Sequence, residues 1–511
     1  MGSNVSKQAS PTYTAVKAEP TMAVSDDTEL IERLQSLLVK EKISVKAVSR
    51  IEKSGEDNPL TSASFLNWES ELLSDPKNEL ALNCFTGNSI TDIIAKTKSQ
   101  YSHNLDSFNY KVDFAGGPIT NQRSSGRCWI FASTNVFKSF IKQKYNLDKF
   151  EISQNYLFFY DKLEKCNFFL NNIIESYDEE IDSRFIQYLL ALPINDGGQW
   201  DMIVNLVEKY GLVPHEQFPD SFSSTNSSRL NYIINNKLRE YALILRKLAS
   251  SAANSEKSYE ATRASILTVK DSMLKEIFNI LTLTLGVAPK PKGEFTWEYF
   301  DKFGNFHSVN TTPLGFYNDI LGFKANKYFS LINDPRNDYD KLYTVDKLNN
   351  VLGGKLIEYV NVDLPVLKQV LIAMIKNNEP AFFGSDVGKF EDTPSGLMDV
   401  DSWDYKLGFN TSLNINKRER LLTGSSQMTH AMVITGVHLD ADGKPVRWRV
   451  ENSWGPDVGH KGFFVMTDKW FDEYVFQVVT SAQYAPKKVV DVWKSKEFNV
   501  LPYFDPMGAL A

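Results

Sequence analysis

The sequence predicts an α+β chain, and three observations carry that reading. Apolar residues recur at helical spacing up to about Leu285. From about Lys355 the texture changes to short strands with Gly and Asp turns. The 511 residues are 42% apolar and 13% aromatic, ample material for a large core. At ~150 residues per domain, the length suggests about three domain-sized units.

Composition also excludes classes. Lys and Arg total 56 against 63 Asp and Glu, a net charge of −7, which argues against nucleic acid as the main partner. No apolar run approaches the ~20 residues of a membrane span. The longest, around Phe278–Val287 and Ala431–Val437, are broken by polar residues or Gly. No basic region followed by an apolar core marks a secretory signal. The three cysteines, Cys84, Cys128 and Cys166, are odd in number and widely spaced, which suits a reducing compartment; the expected setting is cytoplasmic.

In chain order, residues 1–27 are rich in Ser, Thr, Ala and Pro and read as a disordered extension. Met1-Gly2-Ser3-Asn4-Val5-Ser6 fits the N-myristoylation pattern with Gly2 as acceptor, a short pattern that chance also produces. One such chain would give only weak, reversible membrane association. Leu30, Leu34, Leu37 and Leu38 predict an amphipathic helix between Asp27 and Val48, and the run from Ser54 to Pro59 breaks it. Lys111 to Thr225 reads as mostly helical. Ser228 to Leu285 predicts two antiparallel helices, with stripes at Leu230, Ile234 and Leu238 and at Ile266, Met273 and Ile277, turning at Ser250–Ser255. Ala381–Gly384, Ala431–Thr435 and Val446–Glu451 read as strands, the last two joined by a hairpin-type loop at Asp440–Gly443. The expected division is a flexible extension over residues 1–60, an N-terminal arm and helical lobe over 61–225, a helical insertion over 226–355, a β-rich lobe over 356–485 and a tail over 486–511.

The chemistry concentrates around Cys128. Ser124 or Ser125 is expected to cap a helix whose buried stripe includes Ile130, Phe131, Val136 and Phe137. Cys128 then falls in the first turn, where the helix dipole and free N–H groups favour the nucleophilic thiolate. A lone cysteine is more often an inert core residue, so the surroundings decide. A cysteine nucleophile needs a base held by a third group. Of six histidines, His430 opens a strand-like run, and Asn452 ends the next strand in Glu451-Asn452-Ser453-Trp454-Gly455, where Trp454 would shield an imidazole–amide bond.

These segments resemble papain-like cysteine peptidases. Gln122 precedes Cys128 by six residues, as the oxyanion-hole glutamine does in that family, and the order Gln, Cys, His, Asn also matches. Within the family the wording is that of the bleomycin hydrolases. Ser124-Ser125-Gly126-Arg127-Cys128-Trp129, Met428-Thr429-His430-Ala431-Met432, Tyr156-Leu157-Phe158-Phe159-Tyr160-Asp161-Lys162 and the terminal Asp505-Pro506-Met507-Gly508-Ala509-Leu510-Ala511 carry the resemblance, which covers about Ser62 to Ala511. Two departures are informative. Ser125 stands where secreted members carry a disulfide cysteine. Cys128 and His430 lie 302 residues apart, against ~130–150 in papain-type enzymes; the helical insertion accounts for the excess.

The resemblance implies a two-lobed fold, a helical lobe and a β-barrel-like lobe, and an acyl-enzyme mechanism: Cys128 as nucleophile, His430 as base, Asn452 orienting it, and Gln122 meeting the oxyanion. Gly197 and Gly198 would form a cleft wall. The tail would lie in the cleft with the Ala511 carboxylate meeting the substrate's amino terminus, making an aminopeptidase of broad specificity for peptides and amides. It further implies a homohexameric ring. Some relatives bind nucleic acid; despite Lys487, Lys488, Lys494 and Lys496, the acidic balance keeps that outside the prediction. The alternatives are a papain-type endopeptidase, or a ring-shaped binder of peptide or single-stranded nucleic acid. No phosphate-binding Gly loop, His-Glu-x-x-His helix or Cys-x-x-Cys pair occurs, so no cofactor or metal is expected.

Overall fold

The computed structural model describes residues 28–40, 60–253 and 259–509. Residues 1–27 and 41–59 of the expected N-terminal extension, Gly2 among them, and Ala511 lie outside the described residues.

The Thr28–Lys40 helix keeps its apolar stripe in solvent: Leu30, Ile31, Leu34 and Leu37 are each about half exposed. It is tied down by Arg33, which pairs with Glu419 and donates to the Asn414 carbonyl at 2.9 Å. Two further arm helices, Ser62–Leu73 and Pro76–Phe85, are capped by Thr61 and Asp75, whose oxygens accept from Ser64 and Lys77 amides.

The helical core is built from Cys128–Tyr145, Gln154–Glu175, Trp200–Tyr210, Ser228–Ala253 and Tyr259–Leu285. The two long helices pack on each other and on the Gln154–Glu175 helix. Trp129, Phe137, Tyr156, Phe158 and Trp200 are fully buried in this core. Its helices also bury charges, which are neutralised in place: Lys165 pairs with Asp161 at 2.7 Å and Lys162 with Asp196 at 2.5 Å. An unpaired ion there would cost several kcal/mol.

The expected helical insertion contains strands that the sequence reading missed. Phe295–Phe300 and Phe306–Thr311 form a separate hairpin. Tyr328–Ile332 and Lys341–Val345 belong to the main sheet, so strand structure begins well before residue 356. Four of the five residues in each of these two strands are buried, so neither shows the alternation that marks a half-buried strand.

The main sheet runs, edge to edge, from Phe498–Leu501 through Lys341–Val345, Tyr359–Asn361, Tyr328–Ile332, Val475–Ser481, Ala381–Ser385, His430–Leu439, Pro445–Glu451 and Phe463–Thr467 to Leu397–Met398 and Glu391–Asp392. The His430 strand is interior. It pairs antiparallel with Ala381–Ser385, His430 opposite Ser385, and with Pro445–Glu451, Val433 opposite Glu451. Its residues alternate between two cores. Ala431 and Val433 join the helical core, whereas Met432 and Ile434 join a second core on the other face with Val370, Trp448 and Phe471. The Cys128 helix packs on this strand, so the sheet and the helix N-terminus are held at a fixed separation.

Candidate active site

Cys128 is the first residue of its helix and is 2% exposed. The capping serines expected there do something else. Arg127 holds the N-cap position and makes no side-chain capping bond. Ser125 Oγ donates to the Gln122 carbonyl at 2.6 Å and accepts from Arg127 Nε at 2.9 Å. The Ser124 amide donates to the Thr225 carbonyl. Gly126 and Arg127 separate both serines from the helix start, too far for capping. Arg127 is wholly buried, lies over the Phe131 and Phe158 rings and pairs with Asp220 at 2.7 Å.

His430 and Asn452 meet as the sequence suggested. His430 Nε2 donates to Asn452 Oδ1 at 2.9 Å. The same oxygen accepts the Ser453 amide at 2.8 Å, which fixes which way the Asn452 amide faces and hence the imidazole tautomer. Nδ1 is left as the nitrogen able to take a proton. The Trp454 ring lies 4.9 Å from the imidazole, centroid to centroid. Gln122 is clamped by the same tripeptide: its amide donates to the Ser453 carbonyl at 2.8 Å, and its Oε1 accepts Ser453 Oγ at 2.7 Å. Its Nε2 gives one N–H to the Ser125 carbonyl at 2.6 Å, leaving the second. Ser453 was not singled out by sequence reasoning; it is 331 positions from Gln122.

Burial sets the electrostatics. It pushes the Cys128 thiol up to about 11, against the backbone N–H groups of Ala431, Trp129 and Cys128 itself, which favour the thiolate. It pushes the His430 imidazole down to about 4, partly offset by the Asn452 bond. Burial thus opposes charge on both groups and works against the thiolate that the helix N-terminus favours.

The Asn195–Gln199 loop packs against Trp129, the residue after Cys128. A Cβ on Gly198 would fall 2.4 Å from the Trp129 ring, so only glycine lets the loop lie against that indole. Trp129 Nε1 donates to the Asp196 carbonyl at 2.7 Å, and Lys165 Nζ to the Gly197 carbonyl at 2.5 Å. The Asp196 carboxylate accepts from the Gly126 amide at 3.1 Å, from Asn231 at 2.7 Å and from Ser227, besides Lys162. Burial raises the Asp196 pKa, but Lys162 and these donors hold it well below the usual carboxylate range. Asp196, Lys162 and Lys165 were not picked out as site residues. Their signal was a charged cluster, Asp161, Lys162, Glu164 and Lys165, between the apolar runs Tyr156–Tyr160 and Phe168–Leu170 of one helix.

The C-terminal segment reaches this loop. Gln199 Nε2 donates to the Ala509 carbonyl at 2.6 Å, and Met507 is buried in the helical core. The remaining cysteines stand apart. Cys166 is buried within the Gln154–Glu175 helix, where burial raises its thiol to about 12. Cys84 lines a cavity with Leu80, Phe85 and Ile94. Among the described residues no group of three or more His, Cys, Asp or Glu could hold a metal, and no helix is long and apolar enough to cross a membrane.

The chain is similar to known proteins over most of its length. The Peptidase C1-like family matches residues 59–508. Rat bleomycin hydrolase is 45% identical over 452 residues, 86% of this chain and 96% of the relative. Cysteine proteinase 1, mitochondrial, of Saccharomyces cerevisiae is 44% identical over 87% of this chain and 92% of its own length. The crystal structure of PepW from Lactobacillus rhamnosis superposes with a TM-score of 0.84 at 40% identity, covering 89% of this chain and all of that one. The papain-like α+β fold expected from the sequence is the fold found. The yeast name corrects another expectation. Cytoplasmic placement is overturned as an inference, because a relative 44% identical is named as mitochondrial and a reducing compartment does not single out the cytoplasm.

Proposed function

The chain belongs to the Peptidase C1-like family and is a cysteine peptidase, and on that premise we propose that it removes residues from free amino termini through a Cys128 acyl-enzyme. Cys128 Sγ attacks the substrate carbonyl while His430 Nδ1 takes the thiol proton. Because burial favours the neutral pair, this transfer accompanies attack. The oxyanion is met by the free Gln122 N–H and the Cys128 backbone N–H, a contribution typically of about 3–4 kcal/mol per donor. His430 then protonates the leaving amine, and water hydrolyses the thioester by the reverse sequence. Asn452 keeps the imidazole in the required tautomer.

Exo-action rests on one observation, the hydrogen bond from Gln199 to the Ala509 carbonyl beside Gly198. A tail held there fills the part of the cleft that an endopeptidase would leave to residues before the scissile bond. Residues beyond Ala509, ending in this sequence at Ala511, would then present a carboxylate to the substrate's ammonium group. Assembly into a homohexamer is part of the same proposal; the exposed stripes Leu30–Leu37 and Phe65, Leu66, Trp68 and Leu72 on the arm helices support it, and light scattering tests it.

The deciding experiment is hydrolysis of one fluorogenic amino-acid amide in free-amine and N-acetylated forms, with Cys128→Ala as control. Cleavage of the free-amine form alone, abolished in the variant, is expected. Equal cleavage of both forms would make the enzyme an endopeptidase, and cleavage of neither by folded protein would point to a binding role.

A further inference from the structure

We infer that the Arg336–Asp505 ion pair is a positioning device that sets the register of the C-terminal segment in the cleft, and with it where a peptide is cut. The inference rests on the proposed tail-gated reading.

After the Phe498–Leu501 strand, which pairs parallel with Lys341–Val345, the chain runs across the surface of the helical core toward Gln199. Its first contacts there are aromatic and tolerant of sliding. Tyr503 meets the Phe185 ring edge-on and the Tyr188 ring at a tilt, and Phe504, half exposed, lies under Arg184. Asp505 is different. Its Oδ1 accepts from Arg336 Nη2 at 2.8 Å and also from the Met507 amide at 2.8 Å.

Arg336 cannot follow a moving tail. Its guanidinium is bidentate to Asp334, Nε to Oδ1 at 2.9 Å and Nη2 to Oδ2 at 2.8 Å. Asp334 is fully buried at the end of the Tyr328–Ile332 strand and is itself held by Asn337 Nδ2 at 2.8 Å. That strand is part of the sheet that carries His430. A planar fork between two carboxylates specifies direction as well as distance, which a lysine would not.

From Asp505 to Ala509 the segment is stiff. Gly508 N donates to the Asp505 carbonyl at 2.8 Å and Ala509 N to the Pro506 carbonyl at 3.1 Å, closing a short 3-10 turn, and Met507 is 1% exposed. A slip at Asp505 is therefore transmitted to the Gln199 contact. One residue of extended chain is ~3.3 Å, enough to move the tail by a whole substrate position.

The test compares Asp505→Asn, Asp505→Ala and a chain shortened to end at Asp505. Asn keeps an acceptor for the Met507 amide, and in both point variants Arg336 keeps Asp334, so folding is preserved. kcat and KM are measured for free-amine and N-acetylated forms of one fluorogenic amide. In the point variants, the ratio of free-amine to N-acetylated kcat/KM is expected to fall by about tenfold or more. The loss should come through KM for the free amine and a gain in kcat for the blocked form. A merely structural role would lower both substrates alike and leave the ratio alone. If shortening moves the ratio but both point variants leave it unchanged, the ion pair is not the positioning device. If shortening itself leaves it unchanged, the tail reading fails and this inference with it.

Discussion

Asn452→Ala removes the acceptor of His430 Nε2 and leaves that N–H unpaired beside the Trp454 ring, with the imidazole 4% exposed and Asn452 fully buried. An unsatisfied buried donor costs about 1–3 kcal/mol. If the imidazole turns to relieve that cost, it loses the alignment needed for proton transfer. At about 1.36 kcal/mol per factor of ten, the expected loss in kcat/KM is about 5- to 160-fold. The upper end is favoured because Asn452 Oδ1 also holds the Ser453 amide. Asn452→Asp provides the contrast. A carboxylate keeps the acceptor and stabilises the imidazolium, so the acid limb of kcat/KM should rise from about 4 by about 1–3 pH units. The assay is the pH profile of free-amine amide hydrolysis, with active sites counted by thiol alkylation. An Asn452→Ala enzyme within about twofold of its parent in kcat/KM, together with an unmoved acid limb in Asn452→Asp, would refute the orienting role.

Three more outcomes are expected. Gly198→Ala places a methyl 2.4 Å from the Trp129 ring; overpacking costs about 1–3 kcal/mol, read as a lower urea midpoint and a reduced kcat, and an unchanged midpoint would count against the tight wall. Asp196→Asn leaves Lys162, itself wholly buried, without its counter-ion, and should lose about 3–5 kcal/mol at pH 7. Since the folded-state pKa of Asp196 is depressed, its contribution is present above about 3.9 and fades as pH falls through the folded value; the gap between parent and variant should narrow in acid, and a gap constant down to unfolding would exclude the charge pairing. Finally, with the thiol at about 11 and the imidazole at about 4, kcat/KM of the tail-shortened enzyme on a blocked substrate should be flat between limbs near those values. With the intact tail, free-amine substrates should lose kcat/KM above about pH 8, as the α-amino group deprotonates. An acid limb at about 6.5, the unperturbed imidazole value, would mean that burial does not govern His430.

Much of this site was legible because its chemistry is written in short local motifs. Cys128 at a helix start, His430 opening a strand and Asn452 ending the next each carry a periodicity or turn signal within a few residues. The Ser228–Leu285 helix pair was legible for the same reason. The missed parts are long-range or dry. The Ser453 hydroxyl on Gln122 and the Asp196 carboxylate on the Gly126 amide join distant segments, and no local pattern announces them. The buried strands Tyr328–Ile332 and Lys341–Val345 lack alternation because both faces are covered. The opposed shifts of Cys128 and His430 follow from desolvation, which depends on what the folded chain packs around the two side chains.

The Asn452-Ser453-Trp454 tripeptide touches His430 through its first and third residues and Gln122 through its second. The proton carrier and the oxyanion donor thus hang from a single bracket, and neither can be adjusted without disturbing the other. Random changes to the flanking chain should therefore rarely yield partially active enzymes with one function retuned. Removing Gln122 and Asn452 together should cost less than the sum of the two single losses. Altering substrate preference in this scaffold is better attempted on the tail, whose anchors at Arg336 and Gln199 lie on other elements.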